Sequence, residues 1–208
     1  EGATIIGIAE IDGAIFNDNG INIIDLEKYK IENNTILNFP NAKNISSSND
    51  ILTYKCDILI PAALENTITL ENVDLIKAKL ICEAANGPIS YRADKKLNEK
   101  GIVIIPDIYA NAGGVAVSYF EWIRNTSHIR MGRLNKRYEE NRGNTIIKAI
   151  KHLTKETLPQ TIIDKLVYGA NEEDIVASGL EDTMRMAFHE ILEYKEKYKL
   201  ENYRMAAY

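Results

Sequence analysis

Short apolar runs rich in β-branched residues, set among helix-patterned stretches, constrain this chain more than any other feature. Thr4 to Ala9 (TIIGIA), Cys56 to Ile60 (CDILI), Ala78 to Cys82 (AKLIC) and Ile102 to Ile105 (IVII) have strand length rather than helix length. The first is continuous enough to read as a strand buried on both faces. Asp25 to Ile31 reads as a short helix. Ser90 to Lys100 reads as another, with Ser90 as its N-cap and Gly101 in the left-handed region past its end. Asp12-Gly13 and Asn17-Asp18-Asn19-Gly20 carry turn chemistry. Strands at this spacing with helices between them predict a parallel sheet in an α/β domain.

The second half differs. After Tyr119-Phe120-Glu121-Trp122 the chain turns polar and basic, with Arg124, Arg130, Arg133, Lys136 and Arg137. Asn144 to Leu153 then places Ile146, Ile147, Ile150 and Leu153 on one helical face. Pro159 and Gly169 punctuate the next stretch. A long helix is expected from Asn171 to about Tyr198, with Glu172, Glu173 and Asp174 near its positive end and an apolar stripe that includes Leu180, Met184, Phe188 and Ile191.

Composition excludes some partners. Of 208 residues, 45% are hydrophobic and 26% charged, as in a globular domain able to build a core. The net charge of −5 argues against nucleic acid, and Glu139 and Glu140 offset the basic run. No apolar run approaches the ~20 residues that span a bilayer. Cys56 and Cys82 lie inside apolar segments without paired spacing, so buried free thiols are expected. No targeting segment is visible. The chain opens without Met and stops in helix-compatible sequence, so a missing front portion is expected.

Three groups of residues carry chemistry. Glu10 ends the first strand, where an acidic side chain in a dinucleotide-binding fold accepts hydrogen bonds from ribose hydroxyls and disfavours a 2′-phosphate. A solvated loop glutamate is the plainer alternative, and Gly2 and Gly7 do not form the glycine loop that should precede it. The second group is the pair of strand ends, Pro61-Ala62-Ala63 and Glu83-Ala84-Ala85-Asn86-Gly87-Pro88. Small residues there let a flat ring approach the backbone, and Asn86 offers both donor and acceptor; two tight turns chosen for geometry alone would look the same. The third is Asn111 to Ser118 (NAGGVAVS), where a glycine pair opens a helix that would place Val115 and Ser118 on one face. A packing role for the glycines is equally compatible.

The run PDIYANAGGVAVSYFEW (Pro106 to Trp122), together with CDILIPAA (Cys56 to Ala63) and EAANGP (Glu83 to Pro88), resembles glutamate dehydrogenase, and the resemblance extends over nearly the whole chain in order and spacing. It implies a partial NAD(P)-binding Rossmann-like domain over residues 1–124, a helical antenna over 125–168, and a pivot helix with the start of the C-terminal helix over 169–208. It implies that Glu10 holds the adenosine ribose, that Ala62 and Ala63 line the cofactor groove, that Asn86 meets the nicotinamide ribose and that Asn111 meets the carboxamide or the substrate. Val115 and Ser118 would face glutamate, with Ser118 bonding the γ-carboxylate. A buried hydroxyl left unpaired by an aliphatic substrate would cost ~1–3 kcal/mol.

The implied reaction is reversible oxidative deamination of L-glutamate to 2-oxoglutarate and ammonia, with NAD as cofactor and NADP not excluded. An inactive relative serving as a structural or regulatory subunit is the alternative. The catalytic Lys and Asp of this family belong to an N-terminal substrate domain, so no residue here is assigned a catalytic role. The 208-residue chain alone is expected to lack turnover. A homohexamer with antenna contacts and a mitochondrial matrix location, or else a cytoplasmic one, are further implications. The pivot segment departs from antenna-bearing relatives: Glu173 and Ala177 stand where Lys and His contact inhibitory GTP, and Met186 stands for the Arg linked to activating ADP, beside Arg185. A carboxylate there would repel a triphosphate by at least ~1 kcal/mol. His128, His152 and His189 are scattered, so no metal site is expected.

Overall fold

The computed structural model describes residues 2–127, 133–156, 158–168 and 172–208. Two compact units emerge, one of residues 1–111 with 191–208 and one of residues 112–190. The sequence features at His128, Arg130, Gly169 and Asn171 lie outside the described residues.

The first unit contains two three-stranded sheets. β1 (Gly7–Glu10) pairs antiparallel with β2 (Gly13–Phe16), and β2 pairs antiparallel with β3 (Lys43–Ile45). Between β2 and β3 runs α1 (Ile23–Asn33). Its N-cap Asn22 accepts from the N–H groups of Ile24 and Asp25, and Asn34 ends it in the left-handed region at φ 55°. Ile15, Ile21, Leu26 and Ile36 form the core beneath this sheet.

The second sheet carries the expected α/β pattern. After a 3₁₀ turn (Ser48–Thr53), β4 (Ile58–Leu59), β5 (Leu80–Cys82) and β6 (Val103–Ile105) are parallel, in the order β4-β5-β6. A second 3₁₀ turn (Val73–Leu75) precedes β5, and α2 (Tyr91–Glu99) connects β5 to β6. Ala93 and Leu97, four apart on α2, are fully buried with Ile81, Ile104, Ile68 and Val73. Lys100 donates to the carbonyls of Val73, Asp74 and Ile76 at 3.1, 3.2 and 3.1 Å, closing the 3₁₀ turn. Gly101 follows at φ +76°, the left-handed position expected after α2. Ser90 sits at the N-cap with extended backbone but makes no side-chain cap bond.

One expectation is corrected. The run Thr4 to Ala9 is not a doubly buried strand of the parallel sheet: its strand begins at Gly7, is at most half-buried, and belongs to the antiparallel sheet. The turn chemistry of Asp12-Gly13 is the cause, because it folds β2 straight back on β1 and leaves no crossover helix between them. The cysteines are half-buried rather than fully buried.

β6 leads into α3 (Asp107–Ala110). The second unit then holds α4 (Ala112–Ser127), α5 (Arg133–Thr154), α6 (Gln160–Tyr168) and most of α7 (Glu172–Lys197). The end of α7 and the short α8 (Tyr203–Ala207) return to the first unit. Among the described residues no helix is long and apolar enough to cross a membrane.

Candidate functional site

The carboxyl ends of β4, β5 and β6 are tied together by their own backbone. Pro61, leaving β4, accepts hydrogen bonds from the N–H groups of Ala84 and Ala85 at 3.1 and 2.9 Å, and Ile105 accepts from Glu83 N–H at 3.1 Å. Ala62 and Ala63 therefore emerge beside the turn that follows β5, both exposed. This is the edge where open parallel sheets bind ligands.

Asn86 and Asn111 meet at this edge. Asn111 Nδ2 donates to Asn86 Oδ1 at 2.6 Å, across 25 residues of sequence. Each side chain keeps its other amide group for a ligand: Asn86 its N–H₂, Asn111 its carbonyl oxygen. Together they present a donor and an acceptor side by side, the complement of a planar carboxamide.

Beneath the two asparagines lies a charged cluster that sequence reasoning assigned no role. Glu83 is fully buried, and its Oε1 accepts from Arg204 Nη2 at 2.8 Å. Its Oε2 accepts from the Asp107 N–H at 2.9 Å. Asp107 Oδ2 in turn accepts from Gly87 N–H at 2.8 Å, and Arg204 Nε donates to Asp94 Oδ1 at 2.9 Å. Arg204 Nη1 stands 3.6 Å from Asp107 Oδ1. Burial opposes the charge on Arg204, but the hydrogen bond and charge of Glu83, with Asp94 behind them, more than offset it and hold the guanidinium above its ordinary range. A glutamate ending an apolar strand is the local sign of a buried partner. Nothing in the sequence near Arg204, 121 residues away, names that partner.

Burial disfavours the thiolate form of the neighbouring cysteine. Burial, then the charge of Glu83, pushes Cys82 up from its ordinary range, and burial does the same to Cys56, with Asp57 adding to it. Tyr109 is likewise pushed up by burial and then by Cys82. Among the described residues no group of His, Cys, Asp or Glu is arranged to hold a metal ion.

Glu10 sits on the other sheet, at the end of β1, as an ion pair with Lys30 of α1. Ser48 donates from its hydroxyl to the Glu10 carbonyl, which fixes the backbone there. Val115 and Ser118 lie on α4 in the second unit and are both exposed. A shallow depression lined by Thr69, Leu70, Glu71, Ser90, Tyr91 and Arg92 includes none of the residues expected to bind ligands.

The whole chain, residues 1–208, matches the family model described as Glutamate/Leucine/Phenylalanine/Valine dehydrogenase. It is 48% identical over 206 residues to the mitochondrial glutamate dehydrogenase of Dictyostelium discoideum, covering 99% of this chain and 41% of that protein. It is 42% identical over 207 residues to a probable glutamate dehydrogenase of Sinorhizobium fredii, covering 99% of this chain and 47% of the relative. Among solved structures, the glutamate dehydrogenase from Peptoniphilus asaccharolyticus superposes with a TM-score of 0.60 at 29% identity, over 99% of this chain and 38% of that one. The chain thus spans under half the length of these relatives.

Proposed function

We propose a function on one plain premise: the chain belongs to the glutamate/leucine/phenylalanine/valine dehydrogenase family. The protein that carries it catalyses reversible oxidative deamination of L-glutamate to 2-oxoglutarate and ammonia. Its first unit is the Rossmann-like, dinucleotide-binding side of that enzyme. The observation that carries this reading is the Asn86–Asn111 pair at the ends of parallel strands, offering one amide donor and one acceptor together.

The residues present fit a nicotinamide dinucleotide. A bound nicotinamide ring supplies the hydride acceptor. Asn111 meets its carboxamide end or the substrate, Asn86, bonded to Asn111, meets the nicotinamide ribose, and the small Ala62 and Ala63 leave room for the ring. Glu10 accepts from the adenosine ribose hydroxyls. The Glu10 charge repels a 2′-phosphate, so NAD is the favoured cofactor, and the Lys30 ammonium beside it offsets part of that charge, so NADP is accepted more weakly rather than rejected. Val115 and Ser118 face the glutamate side chain, with the Ser118 hydroxyl donating to its γ-carboxylate. The catalytic acid–base residues come from a substrate domain outside this chain.

In the whole protein, glutamate-dependent reduction of the cofactor is expected, faster with NAD than with NADP. Asn111→Ala is expected to lower kcat/KM by about tenfold or more, since a misplaced ring loses near-attack geometry. Initial rates from cofactor absorbance check both. Unaltered kcat/KM in the variant removes Asn111 from the site, and no glutamate-dependent rate in the unsubstituted protein removes the function.

The same premise supports a division into residues 1–124, an antenna over 125–168 and a pivot segment over 169–208. It also supports hexameric assembly and, from the printed name of the Dictyostelium relative, a mitochondrial location. Met186 is exposed on α7, and its neighbour Arg185 already pairs with Glu181 at 3.5 Å. With Glu173 and Ala177 in place of basic contacts, GTP inhibition is expected to be weak or absent, and the ADP response altered. Titration of GTP into the whole enzyme tests this; inhibition at low micromolar GTP overturns it.

A further inference from the structure

We propose that Arg204 is a positioning residue that holds the two ligand-facing asparagines in register. The inference rests on the dinucleotide reading of the Asn86–Asn111 edge and extends it to the C-terminal helix.

Arg204 reaches both asparagine turns through a short series of bonds. Its guanidinium binds Glu83 Oε1 at 2.8 Å, and the other oxygen of that carboxylate holds the Asp107 N–H at 2.9 Å. Asp107 then works in both directions. Its Oδ2 accepts from the N–H of Gly87, next to Asn86, at 2.8 Å. Its carbonyl accepts from the N–H of Asn111 at 3.0 Å. One carboxylate, Glu83, therefore fixes the start of α3, and α3 fixes both asparagines. Their mutual 2.6 Å bond forms only while those two turns keep this spacing.

Charge explains why an arginine is needed. Glu83, Asp94 and Asp107 bring three carboxyl groups to one place, with Glu83 fully buried. Without a cation they repel, and the flexible turn residues are what can move apart. A planar guanidinium serves two or three carboxylates at fixed angles, which an ammonium does not. α8, which carries Arg204, is itself set by Asn202, whose side chain accepts from Met205 N–H at 2.9 Å. α8 is thus coupled to the nicotinamide end of the cleft and not to Glu10, which lies on the other sheet.

The test is made in the whole enzyme with two probes: NADH, and 5′-AMP, which carries the adenosine ribose but no nicotinamide end. For Arg204→Gln, NADH Kd is expected to rise about tenfold, while the inhibition constant of 5′-AMP changes less than about twofold. Arg204→Lys, restoring charge but not the fork, is expected to fall between. Equal loss of both probes in a folded variant makes Arg204 a general structural residue and overturns the proposal, as does unchanged NADH binding. If Arg204→Gln does not fold, the same pair of measurements on Arg204→Lys decides, with selective loss of NADH supporting the proposal. An unsubstituted enzyme that binds 5′-AMP and NADH neither fluorimetrically nor by competition instead overturns the dinucleotide reading itself.

Discussion

Glu83→Ala is expected to destabilise the protein by about 3–5 kcal/mol, the usual cost of removing one partner from a buried ion pair. The size reflects the groups that the substitution strands. Arg204, held in a half-buried position, loses its strongest contact, and the Asp107 N–H loses the carboxylate that receives it at 2.9 Å. An unsatisfied buried donor alone costs about 1–3 kcal/mol. The vacated side-chain volume adds a smaller packing penalty. Asp94 and Asp107 still face Arg204, so the guanidinium is not left wholly unpaired, which keeps the loss from exceeding this range.

Denaturant unfolding of the cofactor-free whole protein measures the total. Hydrogen exchange localises it: amides of residues 83–87 and 105–111 should lose protection before those of the α2 core around Leu97. Glu83→Gln keeps the shape but turns one amide donor toward Arg204 or the Asp107 N–H, so it should lie between wild type and alanine. A loss below about 1 kcal/mol for Glu83→Ala would mean that the pair is as solvated as an ordinary surface bridge.

This cluster also shows where sequence reading reaches its limit. The parallel strands were legible because each is a short, continuous apolar run, and α2 because Ser90 and Gly101 bracket it. Asn86 and Asn111 were legible because they sit at the ends of such runs, where turn residues are forced and ligands bind. Their contact was not. It depends on a pairing across 25 residues that no local pattern encodes. Arg204 was less visible still, since its neighbours Asn202 and Met205 describe only a short helix. The first strand misled for a definite reason. A continuous apolar run reports burial but not pairing direction, and the turn at Asp12-Gly13 set that direction.

Gly143 provides the other large effect, in the second unit. A Cβ built on it would collide with the Leu166 carbonyl oxygen and stand 2.6 Å from its carbon and 2.9 Å from Val167 Cα. These are backbone atoms of α6, which cannot rotate aside as a side chain can. α5 and α6 meet here because glycine lets the two backbones touch. Helix propensity pulls the other way: alanine in place of glycine inside a helix gains about 1 kcal/mol. Overpacking costs about 1–3 kcal/mol, more against rigid backbone, so the steric term wins. Gly143→Ala is therefore expected to destabilise the α5–α6 pair by about 1–2 kcal/mol net, and Gly143→Val by about 3 kcal/mol or more. Hydrogen exchange of residues 140–156 and 160–168 in the whole protein should report the loss, with the first unit unaffected. A disordered insertion would respond to neither substitution, and an isolated helix would gain stability from alanine. Stabilisation by Gly143→Ala would thus remove the packed α5–α6 pair.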